Sequence, residues 1–257
     1  MILRNEDLDS TRFRLDFVGS MIEDLRWLGF TWDEGPDIGG PHGPYNQSER
    51  RAFYRAALEK LHAARLIFPC TRSRRDVLDA ARAPHEAGRE LDEPIYPPHF
   101  RPAPETPLPP LGEMINCNWR LRVPDGEALA FNDGCCGPQQ AIVGRDFGDF
   151  LVWRKDDTPS YQLACVVDDA AMGITEVVRG ADLILSTFRQ ILLYRALGYT
   201  APAFYHCPLM VDENGVRLAK RHDALSLRTL RESGKTPKEF LQTFNLELGK
   251  AGTDASE

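Results

Sequence analysis

Between Thr11 and Leu28 the apolar residues Phe13, Phe17, Met21, Ile22, Leu25 and Leu28 recur at helical spacing, which predicts a helix with one buried face. Gly29 stands where that helix should stop. Tyr54, Ala57, Leu58 and Leu61 repeat the spacing, with Ser48 read as the N-cap. Ahead of the first helix, Met1-Ile2-Leu3 reads as the end of a strand that passes into Asn5 to Asp9, so a preceding segment is expected. Strand-like runs at Trp119 to Val123, Leu129 to Phe131 and Phe150 to Arg154, the first two separated by Pro124-Asp125-Gly126, predict a small antiparallel region. The run Tyr161 to Val167, apolar after its first residues and ending in Asp168-Asp169, predicts a buried strand of a parallel sheet. A helix from about Leu183 to Leu197 closed by Gly198 follows, then a short strand at Leu209-Met210-Val211. Thr236-Pro237-Lys238-Glu239 combines an N-cap, a first-turn proline and a capping-box acid.

Strands alternating with helices around an irregular stretch predict an α/β domain split in two. The irregular stretch is marked by proline: nine of the 19 fall within the 27 residues from Pro84 to Pro110, which excludes a long helix or a central strand there. A chain of 257 residues, 42% of them hydrophobic, is long enough for one large domain or a domain with an insertion. No stretch approaches the roughly 20 apolar residues that span a bilayer, and the first residues hold no apolar signal core. The expected partner set therefore includes no membrane, and the expected compartment is the cytoplasm. Six cysteines without a Cys-x-x-Cys read as reduced, mostly buried thiols. A net charge of −7 argues against a global basic field for nucleic acid, while the clusters Arg72, Arg74, Arg75 and Lys220, Arg221 leave room for a local basic groove.

Three ordered segments carry the chemistry. They are Arg4-Asn5-Glu6-Asp7-Leu8-Asp9-Ser10-Thr11-Arg12; Pro159-Ser160-Tyr161 through Asp168-Asp169, continuing to Gly173-Ile174-Thr175-Glu176-Val177-Val178-Arg179-Gly180-Ala181-Asp182; and Arg217-Leu218-Ala219-Lys220-Arg221. Together they resemble the class I aminoacyl-tRNA synthetases of the glutamyl type, over nearly the whole chain, with the third segment where that family has its KMSKS-type loop. The resemblance implies a Rossmann-like catalytic domain with an inserted acceptor-binding subdomain, and ligands at the carboxyl ends of the strands. It implies that Glu6, Tyr161 and Arg179 contact glutamate, and that Lys220 is the catalytic and ATP-binding lysine. An enzyme for glutamate must meet one ammonium and two carboxylates, which calls for an acid near the amine and an arginine near an acid group. Activation at the α-phosphate of ATP develops charge that fixed cations must meet. Without the family, Glu6 reads as a helix-flanking acid, Arg179 as a structural or surface ion pair, and Lys220 as a solvated loop lysine. Ala219 stands where the loop usually has serine, so a hydroxyl is lost and the charged lysine is kept.

The family's HIGH-type motif is absent from the residues written here, and is expected upstream of Met1 along with a glutamate-binding arginine and serine. The domain is thus expected to be N-terminally truncated and inactive alone, either from a start assigned at an internal methionine or from a true truncation. The expected division is a first Rossmann half over 1–66, an inserted irregular and antiparallel subdomain over 67–148, a second half over 149–214, and the KMSKS-type loop with a helical tail over 215–257. Only 36 residues follow Arg221, too few for the anticodon-binding domains of a discriminating glutamyl enzyme. That shortage, and the wording from Val177 to Gln190, resemble the glutamyl-Q tRNA(Asp) subfamily, which activates glutamate with ATP and attaches it to queuosine of tRNA(Asp). The implied partners are glutamate, ATP with Mg2+, and queuosine-bearing tRNA(Asp), and the expected state is a monomer. The alternatives are a fragment of an enzyme charging tRNA(Glu) and a catalytically dead remnant that binds RNA or protein. That subfamily often holds zinc through Cys-x-Cys and Tyr-x-x-x-Cys; here Phe68-Pro69-Cys70 and Tyr96 to Phe100 keep one cysteine and the tyrosine, so zinc is not expected and packing by Phe68 and Phe100 is expected instead. Rescue of a zinc site by His85 or His99 would require Cys70 to be joined by either histidine.

Overall fold

The computed structural model describes residues 1–8, 15–73, 75–77, 94–112, 114–209 and 227–243. They divide between two compact units, one drawn from Met1–Tyr45 and the described part of Met210–Glu257, the other from Asn46–Leu209.

In the first unit, helix α1 (Leu15–Trp27) ends at Gly29, whose φ of +89° is a left-handed conformation that costs glycine little. Ile2 makes a single parallel bridge to Glu34, and the Leu3 amide donates to the Glu34 carbonyl at 2.8 Å, so the opening residues are extended as the sequence predicts. Helices α5 (Leu227–Glu232) and α6 (Pro237–Thr243) are also part of this unit. Arg231 of α5 pairs with Glu23 of α1 at 2.9 Å, and Phe240 of α6 lies 6.4 Å from the Trp27 ring. The predicted capping box is present: the Thr236 amide and hydroxyl donate to the Glu239 carboxylate at 2.7 and 2.8 Å.

Among its described residues the second unit carries two sheets and the helices α2 (Arg51–Ala63), α3 (Tyr161–Ala171) and α4 (Ile184–Leu197). Strands β1 (Ile67–Cys70), β2 (Asn118–Leu121) and β5 (Phe150–Trp153) form one antiparallel sheet in the order β1-β2-β5. Side chains on both of its faces are buried, Ile67, Phe68, Trp119, Val152 and Trp153 among them, and burying an aliphatic or phenyl side chain contributes about 1.5–3 kcal/mol. Strands β3 (Ala128–Asp133) and β4 (Gly137–Ile142) form a hairpin, and β3 continues in parallel into β7 (Ala203–Cys207) and β6 (Glu176–Gly180), in the order β4-β3-β7-β6. The hairpin therefore extends the sheet that holds β6 and β7.

Three sequence expectations need correction. Tyr161 to Val167 is not a strand but the start of α3, capped by Ser160, whose hydroxyl accepts from the Leu163 amide at 3.3 Å. Every residue from Leu163 to Asp169 is buried, so no polar face interrupts the apolar run, and periodicity cannot separate such a helix from a buried strand. Ser48 is not the cap of α2: it lies in a 3-10 turn over Gln47–Glu49, and Arg50 precedes the helix without a side-chain cap. That turn brings Gln47 and Arg50 to Asp168 of α3, at 2.9 and 2.6 Å, where Tyr54 also donates at 2.9 Å. Last, β7 ends at Cys207 and Leu209 belongs to no strand; Met210 and Val211 lie outside the described residues.

α3 is held on a second side by Tyr194 of α4, whose hydroxyl donates to Asp169 at 2.9 Å. The acid pair predicted to close a strand thus anchors one helix to two others. Pro94 to Gly112 runs without a helix or strand beyond a 3-10 turn at Pro98–Phe100, as its prolines predict.

Candidate active site

Three parallel strands of the second unit each deliver one polar side chain near their carboxyl ends: Asp133 of β3, the register partner of Phe204, and, two positions further along the sheet, Arg179 of β6 and His206 of β7. Arg179 lies directly across the ladder from His206. α4 begins just after β6, and its fully buried Thr187 faces the same group.

These four residues are joined by short hydrogen bonds. Arg179 Nη2 donates to Thr187 Oγ1 at 2.5 Å, and Arg179 Nε donates to His206 Nε2 at 3.2 Å. Thr187 Oγ1 is also 3.1 Å from the Leu183 carbonyl and 3.0 Å from His206 Nε2. On its other side His206 Nδ1 meets Asp133 Oδ2 at 2.6 Å. Asp133 Oδ1 accepts the amides of Cys135, Cys136 and His206 at 3.0, 2.8 and 3.1 Å. Burial pushes the Asp133 carboxyl up, but the Cys136 amide, the His206 ring and amide, and the Cys135 amide outweigh it and hold it well below the usual carboxylate range. Asp133 is thus an anion, which places the proton of the imidazole on Nδ1 and leaves Nε2 to accept from Arg179. The backbone is shaped to allow this: the Gly134 amide donates to Phe204, and a Cβ on Gly134 would meet the Tyr205 ring at 2.7 Å.

Among the described residues, Arg179 keeps Nη1 free of a protein partner, and the Phe204 ring lies 5.4 Å from its guanidinium carbon. A guanidinium fixed on two nitrogens and open on the third side can meet a planar anion such as a carboxylate. Tyr161 opens α3 in the same unit. Its neighbour Gln162 donates to Ser186 at 3.0 Å, next to Thr187, so α3, which bears Tyr161, is tied to α4, which bears Thr187. Glu6 lies in the first unit, where Arg4 pairs with it at 3.1 Å. Lys220 and the rest of its loop lie outside the described residues. Thr187, His206 and Asp133 were not singled out from the sequence. Each lies in a different element, β3, β7 or α4, and only the hydrogen bonds that join them around Arg179 give them meaning.

The residues at the expected zinc position do not fit the metal. Phe68, Tyr96 and Phe100 pack ring against ring, at 5.9 and 5.8 Å, with Cys70 and Val77 in the same buried cluster. Cys70 Sγ and the Tyr96 hydroxyl are 3.4 Å apart, and burial together with that contact pushes the phenol up, so it stays protonated. His99 meets the Phe100 ring edge-on with centroids 4.6 Å apart, and His85 lies outside the described residues. Two phenyl rings stand where a tetrahedral site needs donors.

Comparison with known proteins shows the family. The family described as tRNA synthetases class I (E and Q), catalytic domain, matches residues 1–255. The chain is 49% identical over 238 residues to a glutamyl-Q tRNA(Asp) synthetase of Symbiobacterium thermophilum, covering 92% of this chain and 72% of that one. It is 47% identical over 235 residues to the protein of the same name from Nitratidesulfovibrio vulgaris, covering 91% and 71%. Among solved structures, the glutamate-tRNA synthetase of Elizabethkingia anophelis superposes with a TM-score of 0.69 at 27% identity, over 88% of this chain. The chain spans about half of that structure, 47% of its length.

Proposed function

The chain belongs to the class I tRNA synthetases of the E and Q type, and from that premise we propose that it activates glutamate with ATP and transfers it to queuosine of tRNA(Asp). The observation that carries the glutamate half is Arg179, held at the end of β6 with one side of its guanidinium open. In this reading that open side receives a carboxylate of glutamate, Tyr161 lines the same site, and Glu6 takes the ammonium. The other carboxylate attacks the α-phosphorus of ATP and pyrophosphate leaves. Lys220 meets the charge that builds on the phosphates as it does so. Mg2+ accompanies ATP as the counter-charge of its phosphates.

The tRNA half rests on the relatives. The two glutamyl-Q relatives are covered over 72% and 71% of their length at nearly half identity, whereas the glutamate-tRNA synthetase structure is covered over 47% at 27%. The same reading makes the protein a monomer of the cytoplasm; among the described residues no helix is long and apolar enough to cross a membrane. The test is a charging assay of the full-length protein with radiolabelled glutamate and three RNAs: tRNA(Asp) with queuosine, tRNA(Asp) without it, and tRNA(Glu). Label on the modified tRNA(Asp) alone is expected. Equal charging of tRNA(Glu) would replace the proposal with an ordinary glutamate-tRNA ligase, and pyrophosphate exchange absent with every amino acid would leave an RNA- or protein-binding remnant.

A further inference from the structure

The residues that hold Arg179 are as specific as Arg179 itself. An arginine that recognises a carboxylate must present its fork in one orientation, and a long side chain left to itself occupies many rotamers. Arg179 is fixed at two nitrogens, by Thr187 Oγ1 at 2.5 Å and His206 Nε2 at 3.2 Å, and both holders are fully buried. Only a neutral imidazole with its proton on Nδ1 offers a lone pair to Arg179, and Asp133 at 2.6 Å selects that form.

We propose that Thr187 and His206, with Asp133 behind them, are positioning residues that aim Arg179 at the substrate carboxylate. The proposal rests on the reading that Arg179 binds glutamate. The lone pair of His206 Nε2 faces the Arg179 Nε–H at 3.2 Å and Thr187 Oγ1 faces Nη2 at 2.5 Å, so two acceptors on separate elements together fix the plane of the guanidinium. His206 is faced by Asp133 and the Phe131 ring from β3, by Arg179 from β6 and by Thr187 from α4. Its own strand adds the Phe204 ring, and the Cys136 thiol lies 3.4 Å from its carbonyl. Of the charged groups, Asp133 meets Nδ1 and Arg179 meets Nε2, so the ring is held from both sides.

The test is glutamate-dependent pyrophosphate exchange by the full-length protein, with KM for glutamate and for ATP measured separately from kcat. Calorimetric titration of glutamate serves as a check that does not require turnover. The variants are Thr187→Val, Thr187→Ser, His206→Gln and Arg179→Ala. Thr187→Val keeps the shape and removes the hydroxyl, and should raise the glutamate KM on the order of 10-fold or more, the effect of losing one charge-assisted hydrogen bond, with the ATP KM near the parent value. Thr187→Ser should restore most of the loss. His206→Gln, which loses the imidazole lone pair facing Arg179 Nε, should also raise the glutamate KM more than the ATP KM. A parent glutamate KM for Thr187→Val, equal rises in both KM values, no recovery in Thr187→Ser, or a parent glutamate KM in His206→Gln would overturn the positioning role. If Arg179→Ala itself leaves the glutamate KM unchanged, the reading of Arg179 as the glutamate arginine fails. If Arg179→Ala raises it and Thr187→Val does not, only the positioning inference fails.

Discussion

Asp168→Asn should destabilise the second unit severely without touching its surface. Asp168 is fully buried, and its carboxylate receives Arg50 Nε at 2.6 Å, Gln47 Nε2 at 2.9 Å and the Tyr54 hydroxyl at 2.9 Å. The asparagine is isosteric, so packing is kept and two things change. The carboxylate charge is withdrawn from a guanidinium only 1% exposed. One acceptor oxygen also becomes an NH2 that faces a donor. Removing one partner of a buried ion pair costs about 3 to 5 kcal/mol, because the remaining charge keeps its desolvation penalty. Tyr54→Phe removes one neutral donor and should cost only about 1 kcal/mol. The total stability of a domain is about 5 to 15 kcal/mol, so Asp168→Asn takes a large share of it. At roughly 2 to 4 °C per kcal/mol for a chain of this size, the melting temperature should fall by about 6 to 20 °C. Urea unfolding followed by circular dichroism measures the free energy directly, with an unchanged slope as the check that the denatured state is comparable. Replacing Arg50 and Asp168 together by apolar residues of similar volume should recover much of the loss. A loss below about 1 kcal/mol for Asp168→Asn would refute the reasoning, since the pair would then behave like an exposed salt bridge.

Three further outcomes are expected. Asp133 is held below the usual carboxylate range in the folded chain, so its contribution is fully present above the unfolded value near about 3.9 and is lost as pH falls further. The stability deficit of Asp133→Asn, measured by urea unfolding, should therefore be full at neutral pH and shrink below about pH 4, and a deficit constant with pH would contradict it. Lys220→Ala should slow adenylate formation in single-turnover exchange more than it weakens glutamate binding, because its charge matters most at the phosphates in the transition state; a parent rate would remove Lys220 from that role. Purified protein should contain far less zinc than protein, since Phe68 and Phe100 supply no donor, and equimolar zinc by elemental analysis would show another ligand set.

What the sequence by itself determined was the family and the periodic elements. The three ordered motifs around Glu6, Tyr161 to Arg179, and Lys220 pointed to a glutamyl-type class I enzyme, and the match over residues 1–255 agrees. The helix ending at Gly198, the capping box at Thr236 and the irregular proline-rich run were legible because each depends on local chemistry: a left-handed glycine, a reciprocal side-chain cap, a ring that cannot donate. Tertiary structure decided the rest. α3 was misread as a strand because it is buried all round, a state that periodicity does not encode. The start of α2 was misplaced because a 3-10 turn, folded to bring Gln47 and Arg50 to Asp168, overrides the local cap signal of Ser48. Arg179 could be chosen from its motif, but Thr187, His206 and Asp133 could not. Asp133 lies 73 positions from His206, and Thr187 lies 19 positions before it. Only the parallel pairing of β3, β7 and β6 brings those residues within hydrogen-bond reach, because register between distant strands is set by the packed sheet and not by any one segment.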